Sequence, residues 1–172
     1  MKKIIMAAAI VCVAAYAQAS TILWGLSSSV DTAAYASGTA YLVCVADMAK
    51  PSLADDAAAQ AWFTANSATL ADKALLSGTI ADGMISGSDV VESPTGRKNY
   101  YLVLVNGDNT AMAVSTTTKA INIQAGTMNA TAKWDGASQM KSYAISTAVP
   151  EPTSGLLMLV GLGALALRRR RA

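Results

Sequence analysis

Short runs rich in Val, Ile, Leu, Tyr and Thr recur at residues 21–26, 39–47, 99–106, 111–115, 119–124, 131–134 and 142–146, bounded by Gly, Asn, Asp or Ser. Apolar and β-branched runs of this length between turn residues predict β-strands. Lys119-Ala120-Ile121-Asn122-Ile123-Gln124 alternates as a half-exposed strand does, whereas Tyr100-Tyr101-Leu102-Val103-Leu104-Val105 reads as a more fully buried one. Asn106-Gly107-Asp108-Asn109 follows directly with residues that tolerate positive φ, so residues 100–115 are predicted to form a hairpin. One region departs from this pattern. Ser52 followed by Asp55 is a capping arrangement ahead of an alanine-rich run, and Thr69-Leu70-Ala71-Asp72 repeats it with Gly78 as a stop, which predicts two short helices within 52–77. Leu53, Ala57, Ala61 and Trp62 are the face expected to cover a sheet. The expected body is therefore mostly β, a small β-sandwich carrying a short helical insert.

Both ends of the chain break the strand pattern. Ile4 to Ala15 is an apolar run of twelve residues behind Lys2 and Lys3, and it leads into Ala17-Gln18-Ala19. A charged start, a short apolar stretch and a small-x-small ending are the parts of a secretory signal peptide, cut between Ala19 and Ser20. Twelve residues fall short of the roughly 20 that cross a bilayer as a helix. Cys12 leaves with that segment, so the mature chain keeps Cys44 alone, without a partner for an internal disulfide. Within Tyr41-Leu42-Val43-Cys44-Val45-Ala46 it reads as a small buried hydrophobe.

At the other end, Val149-Pro150-Glu151-Pro152-Thr153-Ser154 precedes thirteen uncharged residues from Gly155 to Leu167, and Arg168, Arg169, Arg170 and Arg171 follow. Each part has a physical role. The prolines keep the segment extended and unable to donate backbone hydrogen bonds, so it stays open to a processing enzyme. A helix of the apolar stretch would be about 20 Å long, short of a hydrocarbon core of about 30 Å but workable with adjoining residues and snorkelling arginines. The arginines stop transfer and hold that end in the cytoplasm. The chain thus divides into a signal peptide at 1–19, an exported body at 20–148 and a C-terminal signal with a transmembrane helix at 149–172.

The order of these parts resembles the PEP-CTERM sorting domain of Gram-negative bacteria: the Pro150-Glu151-Pro152 triplet, the apolar stretch opening Gly155-Leu156-Leu157-Met158-Leu159, and the terminal arginines. The resemblance implies processing by an exosortase, an integral-membrane cysteine transpeptidase-like enzyme of organisms rich in extracellular polysaccharide. It also implies that Pro150, Glu151 and Pro152 are the recognised motif. A plain single-span anchor behind a proline-containing linker is the alternative. A Gram-positive sortase signal would need an LPxTG-type pentapeptide, and none is present. Gly161-Leu162-Gly163-Ala164-Leu165-Ala166 fits a dinucleotide-binding pattern, but it lies inside the apolar stretch, where small residues are ordinary membrane-helix composition.

Composition narrows the chemistry of the body. The whole chain carries a formal charge of +2, but residues 20–149 hold seven basic and ten acidic side chains, a net charge of −3. No basic cluster remains to neutralise phosphates, which argues against nucleic acid as a partner. The chain contains no histidine, so His-based triads, His general bases and His metal sites are excluded. Asp55, Asp56, Asp82, Asp89 and Asp108 lack the spacing of a calcium loop and read as caps and turns, so neither a metal nor a cofactor is expected, and no catalytic residue. Trp24, Trp62, Trp134 and the tyrosines at 35, 41, 100, 101 and 143 are the candidates for a sugar-stacking platform, with core packing as the competing reading. Asn129-Ala130-Thr131 matches a glycosylation acceptor and is read as a chance match.

The expected function is that of a non-enzymatic exported protein, threaded by the secretion machinery, held transiently in the inner membrane and released to the cell surface or beyond by an exosortase. Its role would be structural or matrix-associated. A carbohydrate-binding module with exopolysaccharide as partner is the first alternative, and a secreted hydrolase the second.

Overall fold

The computed structural model describes residues 20–91, 96–124 and 130–146. Its organising element is the strand that contains the longest apolar run of the body, which is buried on both faces. A strand sends alternate side chains to opposite sides, so such a run needs a layer on each side. In β5 (Gly96–Asn106), Tyr100, Leu102 and Leu104 join one buried cluster, while Tyr101, Val103 and Val105 join another.

The other elements supply those layers. They are β1 (Ser20–Ser28), β2 (Ser37–Cys44), α1 (Asp56–Lys73), β3 (Ala74–Ala81), β4 (Ser86–Val91), β6 (Ala111–Ser115), β7 (Lys119–Ile123), β8 (Ala130–Asp135) and β9 (Met140–Ala144). The larger sheet is antiparallel in the order β3-β2-β5-β6-β9, with β7 pairing the first half of β5 on the edge that β6 occupies further along. The smaller sheet runs β4-β1-β8, with β1 antiparallel to β4 and parallel to β8. Between the sheets lie Ile22, Trp24, Leu26, Leu42, Tyr100, Leu102, Leu104, Ile121, Ile123 and Trp134. On the opposite face of the larger sheet, Ala59, Trp62, Phe63 and Leu70 of α1 cover Val43, Tyr101, Val103 and Val105.

Ser115 explains how β6 and β7 share one edge of β5. Where the chain passes from one to the other, Leu102 would lose a ladder partner, and its N–H donates instead to Ser115 Oγ (3.1 Å), which donates on to Thr117 O (2.9 Å). The hydroxyl is fully buried yet satisfied in both directions. At the far end of β5 the predicted hairpin forms. Asn106 Oδ1 accepts from the N–H groups of Thr110 (2.8 Å) and Ala111 (2.9 Å), and Asn109 takes up positive φ (54°).

Both central indoles are fully buried, each contributing on the order of 5 kcal/mol as an upper bound if about 200 Å² is removed from water. Trp24 fits because its neighbours are glycines: a Cβ at Gly87 would stand 2.2 Å from its Nε1, and one at Gly78 3.3 Å from Cζ2. Its N–H donates to the Asp89 carboxylate. Trp134 Nε1 donates to Thr117 O (3.2 Å), and Lys119 Nζ lies 5.6 Å from the centre of that ring.

The body is mostly β with one helix, and it corrects the sequence reading in three places. One helix of 18 residues replaces the two expected. Asp55 is its N-cap, accepting from Ala58 N (2.8 Å), while the segment before it is tied to β9: Leu53 O accepts from Tyr143 OH (3.0 Å) and Ala54 O from Lys141 Nζ (3.3 Å). Ser52 therefore caps nothing. Thr69 sits inside the helix and donates back to Asn66 O (3.2 Å), a bond compatible with continued helix. The region expected as the second helix's tail becomes β3, where Gly78 makes room for Trp24 and does not stop a helix. Lastly, Leu53 and Trp62 do pack on the helix-side cluster, but Ala57 and Ala61 are exposed, and Ala59, Phe63 and Leu70 complete the covering face.

Candidate sorting and processing sites

The two processing sites predicted from sequence lie at the two ends of the described body. Ala17 and Ala19, the Pro150-Glu151-Pro152 motif, the apolar stretch and Arg168, Arg169, Arg170 and Arg171 all lie outside the described residues. Among the described residues no helix is long and apolar enough to cross a membrane.

Ser20 is within the described body. It is the first residue of β1, almost fully buried, paired with Val91 of β4, and its hydroxyl donates to Gln124 O. The predicted cleavage point thus directly precedes the first residue of β1.

At the other end, β9 is the edge strand of the larger sheet, and its unpaired side is occupied by the helix. Asp56 Oδ1 accepts from Ala144 N (3.1 Å), and Gln60 Oε1 accepts from Ser146 N. The spacing explains the match. Residues 56 and 60 are one helical turn apart, about 6 Å, and two residues along a strand advance about 6.6 Å. Ile145 N donates to Thr110 O (2.8 Å), and the Ile145 side chain is buried against the helix-side cluster. Ser146, the last described residue, is therefore itself hydrogen-bonded into the body. The helix clamp was not foreseen from sequence; an Asp and a Gln four residues apart on a helix was its only trace.

The aspartates are absorbed by structure. Asp55 caps α1, Asp56 holds β9, Asp89 accepts from Trp24, and Asp82 (φ 50°) occupies a turn. Asp135 accepts from Ser28 Oγ (2.9 Å), Ser138 N (3.1 Å) and Ala137 N (2.9 Å); these bonds, led by the one from Ser28, lower its pKa. No group of three or more His, Cys, Asp or Glu side chains comes together among the described residues. Cys44 is buried and packs between the sheets, beside a depression of about 300 Å³ bordered by Asp47, Lys73, Lys98 and Tyr100.

The aromatic residues considered for sugar stacking are mostly interior. Trp24, Trp134, Tyr35, Tyr100, Tyr101 and Tyr143 are buried, and Tyr41 and Trp62 are only partly exposed, packed on the helix-side cluster. Burial pushes the Tyr35 hydroxyl up to about 12, and it raises Tyr101 as well, with Cys44 adding to the effect. These side chains form a core and not an exposed platform.

No curated protein and no solved structure matches the chain. The family profile of the PEP-CTERM protein-sorting motif does, over residues 148–171, a span that opens two residues beyond the last described residue of the body. The chain carries a PEP-CTERM protein-sorting motif at its C-terminus.

Proposed function

We propose that the protein is exported, held briefly in the inner membrane by its C-terminal segment, and released by an exosortase to act at the cell surface or outside it. The observation that carries this reading is the sorting-motif match at residues 148–171, placed immediately after a body that is clamped up to Ser146. A signal peptidase removes residues 1–19 and exposes Ser20. Arg168, Arg169, Arg170 and Arg171 stay on the cytoplasmic side because several guanidinium groups are costly to move through hydrocarbon. Pro150, Glu151 and Pro152 form the segment the processing enzyme grips. The body serves as a structural or matrix-associated module and not as an enzyme, a role in keeping with aspartates engaged in caps, turns and strand edges.

Intact-mass measurement on protein recovered from its native cells tests this. The expected species begins at Ser20 and lacks the apolar tail and its arginines. Replacing Pro150, Glu151 and Pro152 together by Ala should leave the uncut form in the membrane. A mature species that still ends at Ala172 would reject exosortase processing and leave a simple anchor.

A further inference from the structure

Helix α1 leaves a depression open toward the turn end of β5. Phe63, Ser67 and Leu70 recur at the spacing that sets side chains on one face of a helix. They border, with Tyr41 of β2, Val105 of β5 and Asn109, a space of about 450 Å³, larger than the one of about 300 Å³ beside Cys44. Asn109 is brought there by the turn that follows β5, where its N–H donates to Asn106 O (3.0 Å) and its φ is 54°.

The lining has an apolar part and a polar one. Tyr41 and Phe63 pack on the helix-side cluster yet stay partly exposed, so aromatic surface borders the opening, while Leu70 and Val105 are buried. The Ser67 hydroxyl and the Asn109 side-chain amide are exposed, and no hydrogen bond among the described residues engages either. Apart from the Tyr41 phenol, no ionisable group borders the space. The neighbouring depressions differ in this respect: Asp47, Asp72, Lys73 and Lys98 border one, and Lys50 and Lys141 another. An apolar, aromatic lining with a few convergent polar groups is the usual make-up of a small-ligand site. An anion here would find no cation to offset its lost hydration. An alkyl chain would cover the hydroxyl and the amide without bonding to them. A pyranose ring suits both parts, because the C–H groups of its face meet the negative face of an aromatic ring and its hydroxyls both donate and accept.

We infer that this depression is a binding site for a neutral sugar, with a pyranose ring set against Phe63 and Tyr41 and its hydroxyls bonded to Ser67 and Asn109. The amide supplies an oxygen acceptor and two N–H donors and the Ser67 hydroxyl one donor and an acceptor, so neighbouring sugar hydroxyls are met in either sense. The volume lies toward the lower end of the roughly 300–1,000 Å³ of small-ligand sites, which suits one or two sugar units at the end of a glycan. So few polar contacts give weak binding, with a dissociation constant of about 1 mM. Sugar binding is independent of how the chain is sorted, so its failure would leave the exosortase reading intact.

Amide NMR titration of the full chain, in a zwitterionic detergent without a sugar headgroup, tests the assignment. The probes are short neutral oligosaccharides of glucose, mannose and galactose, each taken to about 20 mM, with oligogalacturonate as the charged comparison. At least one neutral probe should shift the Asn109 side-chain amide and the backbone amides of Phe63 and Ser67, and leave Asn122, on the exposed face of β7, unmoved. Phe63→Ala should weaken that binding about tenfold. Asn109→Gly, which removes the amide and keeps the positive φ of the turn, should weaken it by a similar factor and does not disturb the packing under α1. Far-ultraviolet circular dichroism confirms that each variant is folded. No shift with any neutral probe, shifts that oligogalacturonate reproduces at the same concentration, or an affinity that both variants leave unchanged would overturn the assignment.

Discussion

Gly87→Ala is the sharpest probe of how the two sheets meet. The added methyl would stand 2.2 Å from Trp24 Nε1, 2.6 Å from Cε2 and 2.8 Å from Cδ1, so either the indole or β4 must move. Forcing an extra methyl into a packed core costs about 1–3 kcal/mol. Displacing the indole also breaks its bond to Asp89, and a buried donor left unsatisfied costs about 1–3 kcal/mol more. The expected loss is about 2–6 kcal/mol, a large part of the stability of a body this size. Urea denaturation of the mature protein, followed by tryptophan fluorescence and circular dichroism, reads it directly. With a denaturant slope of about 2 kcal/mol/M, the midpoint should fall by about 1–3 M. Ser88→Ala, one residue on and exposed, should stay within about 0.5 kcal/mol of wild type. Trp24→Phe, which shortens the ring where the methyl intrudes, should recover part of the Gly87→Ala loss in a double-mutant cycle. If Gly87→Ala were as stable as wild type, or no worse than Ser88→Ala, the packing of β4 over Trp24 would be wrong.

Ser115→Ala should cost about 1–3 kcal/mol, because Leu102 N–H is left unpaired in the core, and amide exchange at Leu102 should accelerate well beyond that of its neighbours. Unchanged protection at Leu102 would contradict the bridging role. Asp135 has a folded pKa below its ordinary value of 3.8, so its contribution to stability is present above that pH and is lost as pH falls through the lowered value. Asp135→Asn should therefore flatten the acid limb of stability against pH, measured as the urea midpoint from neutral pH downward; an unaltered acid limb would count against the Ser28 and backbone bonds.

The sequence made some elements visible and hid others for identifiable reasons. β5 and its hairpin stood out because the apolar run is uninterrupted and the Asn-Gly-Asp-Asn turn follows it. β7 was legible from its alternation. β3 was missed because Gly78 interrupts its inward row between Leu76 and Ile80, and β4 because two of its inward positions do not carry the expected apolar side chains. Gly87 faces inward because Trp24 of β1 fills its space, and Asp89 faces inward because it accepts the indole N–H. A strand whose buried signal is supplied by its neighbour has no periodicity of its own. The helix was divided in two because Ser52 and Thr69 resemble caps locally, while β9's claim on Leu53 and Ala54 is a contact almost 90 residues away in sequence. The sorting motif was legible because it is a linear signal, read as an extended segment and not as a folded surface. The clamp beside it needs the three-dimensional meeting of Asp56 and Gln60 with β9.

The position of β9 has a mechanical consequence. Any tension carried by the polypeptide beyond Ser146 enters the fold through a five-residue edge strand, held on one side by β6 and on the other by two side chains of a helix. Drag on the body would load this strand before any other, so the point of attachment and the first place to peel coincide, while the doubly buried β5 is shielded from the pull.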